Sequence, residues 1–176
     1  MAVLVEAISV VIRRSAIEAL YPGGWDSFAA NAPNSTLCAD RRLARVGFMQ
    51  PTDVEAFIRE LERTGFVYRE GGAAKDLAVL DQQRGSAVPC PWIEFGHIEL
   101  APGQRVAVCR EVGDTENIMA SPDSWKYEGS LSETFGFVPT SEEDKSLRFL
   151  RHEAGLDVYL NEVTGDEVFV GRTGER

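Results

Sequence analysis

The first strand of the sequence carries the pattern that most constrains the fold. From Ala2 to Ile12 the chain is rich in β-branched residues, and apolar side chains occupy both sets of alternating positions. Such a pattern is typical of a strand buried inside a sheet with both faces covered. It predicts one central strand over Ala2–Ile12. Glu6 is a carboxylate within this apolar strand, which makes it a candidate functional group, although a bond to a neighbouring arginine or a place at a solvated sheet edge is the favoured interpretation.

The clearest helix follows Met49. Thr52 and Glu55 have the spacing of a capping box, and Gly65 followed by Phe66 has the form of a Schellman end. Ser15 and Glu18 repeat the capping-box spacing and predict a second, short helix nearer the N-terminus. The middle helix has one apolar face, with residues spaced i, i+3, i+4 and i+7, formed by Val54, Phe57, Ile58 and Leu61.

The order of elements predicts an α+β fold. Two short strands are expected within residues 36–49, and two more at 66–69 and 77–81. With the first strand and the two helices, the order becomes strand, helix, strand, strand, helix, strand, with one extra strand. This order favours a ferredoxin-like split βαβ arrangement for the N-terminal half.

The sequence pattern changes after a turn-rich segment at residues 83–91. Beyond it we expect a mainly antiparallel β half, with one hairpin around Pro102-Gly103 and another around Gly165-Asp166. We therefore predict an N-terminal unit at 1–84 and an acidic, mainly β unit at 85–176, with a single continuous domain as the alternative.

Charge separates the same two halves. Residues 1–110 hold 13 acidic and 12 basic side chains, whereas residues 111–176 hold 15 acidic and 6 basic ones. The overall charge of −10 argues against unaided binding to nucleic acid or to an anionic membrane. A local basic patch is the exception to be tested, and its members would be Arg13, Arg14, Arg41, Arg42 and Arg45.

The cysteines and the N-terminus suggest a compartment. Cys38, Cys90 and Cys109 are widely spaced and odd in number, so we expect no disulfide framework and a reducing environment. The N-terminal apolar run lacks the charge order of a secretory signal, and no apolar run is long enough for a membrane span. A cytoplasmic protein is the expectation.

Two residues are candidates for nucleophilic catalysis if the protein is an enzyme. Cys90 lies between two prolines and His97 follows seven residues later as a possible base. A structural thiol is the competing interpretation. A tight turn at Pro102-Gly103 would pair His97 with Val108 and put Cys109 on the opposite face, unless a bulge intervenes. With only two histidines and no clustered cysteines, we expect no metal site and no cofactor.

Three functions remain open. The first is a non-catalytic binding protein whose acidic C-terminal region, including Glu142, Glu143 and Asp144, recognises a basic protein. The second is an enzyme that uses Cys90 with His97, or Glu6, in a pocket lined by Trp92 and Phe95. The third is a regulatory domain that binds a small molecule. The oligomeric state stays open.

Overall fold

A computed structural model describes residues 1–116 and 118–134, together with three strands within residues 147–171. The protein is α+β, as the sequence predicts. The N-terminal elements are β1 (Ala2–Val5), β2 (Ile8–Arg13), α1 (Arg14–Leu20), α2 (Gly24–Ala30), β3 (Cys38–Ala39), β4 (Leu43–Phe48), α3 (Pro51–Arg63), β5 (Arg69–Glu70), β6 (Ala73–Ala74), β7 (Leu77–Asp81) and β8 (Gly85–Ser86). They are followed by β9 (Ile93–Ala101), β10 (Gln104–Glu111), β11 (Met119–Ala120), α4 (Leu131–Thr134), β12 (Leu147–Glu153), β13 (Leu156–Asn161) and β14 (Glu167–Gly171).

The first sheet has five strands in the order β3-β4-β2-β7-β8, and each adjacent pair is antiparallel. β2 is its central strand, which agrees with the two-sided apolar pattern. Even-numbered residues of β2 face the helices, and odd-numbered residues face the opposite layer. The helix-side core combines Ile8, Val10 and Ile12 with Ile17, Phe28, Val54, Phe57, Ile58 and Leu61.

The second sheet has four strands in the order β11-β1-β10-β9. It packs against the face of the first sheet that the helices leave open. The inter-sheet core contains Val3, Val5, Val11, Cys38, Leu43, Ala78, Leu80, Trp92, Ile93, Ala107 and Cys109. The outer face of the second sheet is covered by the segment 119–127, where Met119, Trp125 and Tyr127 pack on Leu4, Val106 and Val108.

The single strand predicted over Ala2–Ile12 is wrong in one respect, because the chain breaks at Glu6 and Ala7. Ala7 has a positive φ of 48°, which turns the chain from one sheet into the other. β1 pairs with β10 in the second sheet, whereas β2 pairs with β4 and β7 in the first. The break therefore joins the two sheets through adjacent residues.

The predicted helix starts are also corrected. The first helix begins at Arg14, before Ser15, and the middle helix begins at Pro51, before Thr52; neither N-cap residue makes a side-chain cap. Proline suits the first helical position because its missing N–H would have no helical partner there. The predicted Schellman end is confirmed, since Phe66 N–H donates to Leu61 O at 3.3 Å and Gly65 has φ of 104°.

The C-terminal strands form an antiparallel sheet in the order β12-β13-β14, in agreement with the predicted hairpin. The strand predicted at 66–69 is reduced to the two residues of β5, which pair with β6. The turn around Gly165-Asp166 lies outside the described residues. Within the part of the chain that the structure describes, no helix combines the length and the apolar character needed to span a lipid bilayer.

Candidate functional site

A cavity of about 390 Å³ opens where the chain crosses from β1 to β2. We call it the crossover cavity. Its walls come from the strand break, the loop before β3, the end of β4, the first turn of α3 and the segment before α4. The lining residues are Glu6, Ala7, Asn34, Ser35, Thr36, Arg45, Gly47, Phe48, Met49, Asp53, Pro122, Ser124, Trp125 and Leu131.

Arg45 is the most unusual residue of this wall. Its neighbours Ala44 and Val46 belong to the helix-side core, so strand alternation turns Arg45 into the inter-sheet layer. The side chain is only 2% exposed. Burial lowers the pKa of the guanidinium from its ordinary value, since a charge loses its hydration there.

The guanidinium of Arg45 is held by neutral groups. Nε donates to Ser9 Oγ at 2.8 Å, Nη2 to Glu6 O at 2.8 Å and Nη1 to Thr36 O at 3.2 Å. These bonds tie β4 to the strand break and to the loop before β3.

Gly47 leaves the space that the guanidinium occupies. A Cβ at this position would lie 2.5 Å from Nη2 of Arg45, so a side chain and the guanidinium exclude each other. Asn34 and Thr36 close the same corner. Asn34 Nδ2 donates to Gly47 O at 2.9 Å, and Gly47 N–H donates to Thr36 Oγ1 at 2.7 Å.

Glu6 fastens the opposite wall. It is 9% exposed, and its Oε1 accepts hydrogen bonds from Ser132 N–H at 3.0 Å and from Ser132 Oγ–H at 2.7 Å. Arg45 donates to the main-chain oxygen of Glu6, and the Glu6 carboxylate acts on the guanidinium only through its charge. The carboxylate thus connects the strand break to α4 across 126 residues of sequence.

Gln82, which directly follows β7, stabilises the strand break at Glu6 and Ala7. Its Oε1 accepts the Ala7 N–H at 2.8 Å, and its own main-chain N–H donates to Ala7 O at 2.9 Å. The side-chain Nε2 donates to Leu131 O at 3.4 Å. Two hydrogen bonds with Gln82, one donated by each residue, therefore hold Ala7 in its left-handed conformation.

Two hydrogen-bonding groups of residues that line the cavity have no partner among the described residues. No described residue donates to Oε2 of Glu6, and Trp125 Nε1 is buried with no acceptor among the described residues. Buried polar groups are nearly always paired in folded proteins, so an unused donor beside a cavity needs an explanation. Asp53 adds a third polar group at the exposed rim.

Cys90 and His97, the predicted nucleophile and base, lie in different surroundings. Cys90 packs against the inter-sheet core, and burial raises the pKa of its thiol. His97 lines a second cavity of about 540 Å³ along β9. Burial, reinforced by Arg105, lowers the pKa of His97. A raised thiol pKa opposes thiolate formation, so these surroundings do not favour a nucleophilic Cys90.

The register predicted for the β9–β10 hairpin is wrong by one residue. A bulge between Gln104 and Arg105 pairs His97 with Ala107 and Cys109 with Phe95. His97 and Cys109 therefore share the inner face of the sheet. Burial raises the pKa of Cys109, which keeps its thiol protonated.

The two predicted pocket residues have separate roles. Phe95 lines the cavity along β9 beside His97 and packs against the backbone of Gly85. Trp92 is a core residue, and its Nε1 donates to Ala74 O at 3.0 Å. The guanidinium of Arg13 lies 5.4 Å from the centre of its ring.

The other sequence candidates are scattered. Glu142, Glu143 and Asp144, the predicted partner-binding residues, lie outside the described residues. Arg13 and Arg42 are paired with Glu111, whereas Arg45 is buried in the core, so the five arginines do not form one basic surface. Across residues 1–116 and 118–134, no three histidine, cysteine or acidic side chains are grouped as metal ligands.

Sequence reasoning named Arg45 only as a surface base and did not identify Gly47 or Thr36 as site residues. One signal was available, because Arg45 interrupts an otherwise apolar strand, Leu43 to Phe48, as Glu6 interrupts the first strand. A charged residue in each of two buried strands was a reason to expect that Glu6 and Arg45 lie close together. No family model, curated protein or solved structure matches this chain, so its interpretation depends on the geometry above.

Proposed function

We propose that the protein binds a small polar ligand in the crossover cavity, as a regulatory ligand-binding domain would. The observation that carries this proposal is a cavity lined by the buried Glu6, whose Oε2 accepts from no described residue, and by Trp125, whose buried Nε1–H has no acceptor among the described residues. Ligand sites are concave, of about 300–1,000 Å³, and combine apolar walls with a few placed polar groups. Phe48, Met49 and Leu131 supply the apolar wall.

The polar surroundings of the cavity support preorganisation. Arg45, Asn34 and Thr36 use their hydrogen bonds within the protein, so they hold the wall rather than wait for a ligand. A site held in this way loses little conformational entropy when a ligand enters. Glu6 Oε2, which accepts from no described residue, is left to recognise a ligand.

We also propose a ferredoxin-like arrangement for the first sheet. The order β3-β4-β2-β7 and its antiparallel pairings, with helices before β3 and before β7, support a ferredoxin-like arrangement in the first sheet. Fold alone does not determine function, so this likeness supports a binding role only by analogy.

A screen of small neutral, anionic and cationic fragments tests the proposal on the full chain. A ligand that binds only the folded protein raises its melting temperature. We expect some fragments to do so, and we expect Ser124→Phe, which fills the cavity rim, to abolish their effect. Ser121→Phe is the control, because Ser121 lies on the same segment but outside this cavity. The proposal is wrong if no fragment stabilises the protein or if every effect survives Ser124→Phe.

Recognition of a basic protein by the acidic C-terminal region stays a prediction from charge. Its test is a pull-down of basic proteins whose association slows steeply as salt is added. A reducing, cytoplasmic location also stays a proposal, and it is supported by the free thiols of Cys38, Cys90 and Cys109.

A further inference from the structure

The charged groups around the crossover cavity differ in what they already bind. Arg45 is the basic residue of the wall, and it donates to Ser9 Oγ, Glu6 O and Thr36 O. Each of the three guanidinium nitrogens therefore already donates a hydrogen bond within the protein. The guanidinium therefore serves the fold and offers little to an anionic ligand.

The carboxylate of Glu6 is in the opposite situation. It is nine-tenths buried, and only Oε1 is used, by Ser132. The oxygen Oε2 accepts from no described residue, although Glu6 lines the cavity. A charged acceptor in a partly dry site attracts a cationic donor more strongly than the same group does in water.

The other walls suit a cation as well. Asp53 adds a second carboxylate at the rim, and the aromatic residues Phe48 and Trp125 line the same space. Aromatic faces attract ammonium groups, with the strongest effect where water is excluded.

We infer that the ligand of the crossover cavity carries an ammonium group that binds Glu6 Oε2, with Asp53 adding negative charge at the rim. The chemical class is thus a small amine with an apolar body. This inference rests on the proposed function of the cavity.

Three probes with one aromatic frame test the inference on the full chain: phenethylamine, 2-phenylethanol and 3-phenylpropanoate. Their dissociation constants are measured by titration calorimetry at neutral pH. We expect phenethylamine to bind about tenfold or more tightly than either of the others, which is the usual worth of a charge-assisted hydrogen bond. Equal or weaker binding of the amine overturns the inference. If the alcohol or the acid still binds in the cavity, the proposed function stands.

Glu6→Gln identifies the residue responsible. The amide oxygen still accepts from Ser132, whereas the negative charge is lost. We expect the preference for phenethylamine over 2-phenylethanol to disappear in this variant. Glu60→Gln makes the same charge change on the exposed face of α3, away from the cavity, and keeps the preference. A preference that persists in a folded Glu6→Gln overturns the assignment, and the wild-type rank order tests the inference even if that variant does not fold.

Discussion

At the scale of single residues, the site depends on one contact between Arg45 and Gly47. The guanidinium crosses the space above the glycine Cα, and its bonds reach the strand break and the loop before β3. The glycine is required here for space, since its φ is not positive. The arginine and the glycine are therefore one structural unit.

Gly47→Ala tests this unit. The added methyl overlaps Nη2 of Arg45, so the guanidinium must move and lose hydrogen bonds inside the core. We expect a loss of about 2–3 kcal/mol in the free energy of unfolding, measured by urea denaturation. Gly96→Ala is the control, because nothing lies within 4 Å of a Cβ at that strand position. Equal effects of the two substitutions would contradict the account.

The thiols provide a second prediction at this scale. Burial raises the pKa of Cys38, Cys90 and Cys109. We expect all three to react with iodoacetamide more slowly in the folded protein than in urea at any pH below about 8.5, because the thiolate is the reactive species. If Cys90 reacts faster than an unfolded thiol at pH 7, the nucleophile hypothesis gains support.

The same shifts set the pH dependence of stability. A thiol whose pKa is raised on folding favours the native state while it stays protonated. The unfolded chain ionises first as the pH rises past about 8.5, so the free energy of unfolding should fall above that value. Urea titrations at pH 7 and pH 10 measure the change, and Cys109→Ala should reduce it.

At the scale of elements, the break between β1 and β2 organises the molecule. The period-two pattern cannot show it, because Val3, Val5 and Val11 all face the inter-sheet layer on both sides of the break. Only the even positions differ, since Leu4 faces the outer layer and Ile8 faces the helices. An apolar side chain suits either layer, so the sequence reads as one continuous strand.

Substitution of Ala7 tests the break. Valine is β-branched and strongly disfavours a φ of 48°, so Ala7→Val should cost about 2 kcal/mol or more of the free energy of unfolding. In Ala7→Gly the relief of strain is offset by a more flexible unfolded chain, and the net effect should be within about 0.5 kcal/mol. Thermal denaturation of both variants measures the difference. A tolerated valine would show that the left-handed turn is not required.

Other elements were predictable for a physical reason. The extent of β7, the hairpin of β9 and β10 and the end of α3 depend on local turn chemistry and periodicity, which adjacent residues contain. The predicted first residues of the two helices were wrong, because proline and tertiary contacts define the helix starts rather than the side chains of Ser15 and Thr52. The predicted register of the β9–β10 hairpin was wrong because the length of the turn does not reveal the bulge between Gln104 and Arg105.

At the scale of the whole molecule, the two sheets share one core. Residues of the predicted N-terminal unit, such as Val5 and Leu80, pack in the inter-sheet core with Trp92 and Cys109. The crossover cavity also combines residues from both sides of position 84. The division at residue 84 stays a prediction, as does the alternative of one continuous domain. The sequence suggested the boundary because charge and turn content change there, and these core contacts cross it.

A fragment of residues 1–84 tests this alternative. Without β10, the strand β1 loses its antiparallel partner, and one face of the first sheet becomes exposed. Exposure of that much apolar surface should prevent cooperative folding of the fragment. Circular dichroism with urea denaturation is the measurement. A cooperative transition with native-like stability would support two independent domains instead.

The central claim is that the crossover cavity holds a small ligand, and the indole signals of the ¹⁵N-labelled protein test it most directly. Three tryptophans are present, and Trp125 lines the cavity whereas Trp92 Nε1 is committed to Ala74 O. Titration with phenethylamine should move the indole N–H signal of Trp125 in a saturable way and leave that of Trp92 in place. An unchanged Trp125 signal, or saturable shifts confined to Trp92 and Trp25, would contradict the claim.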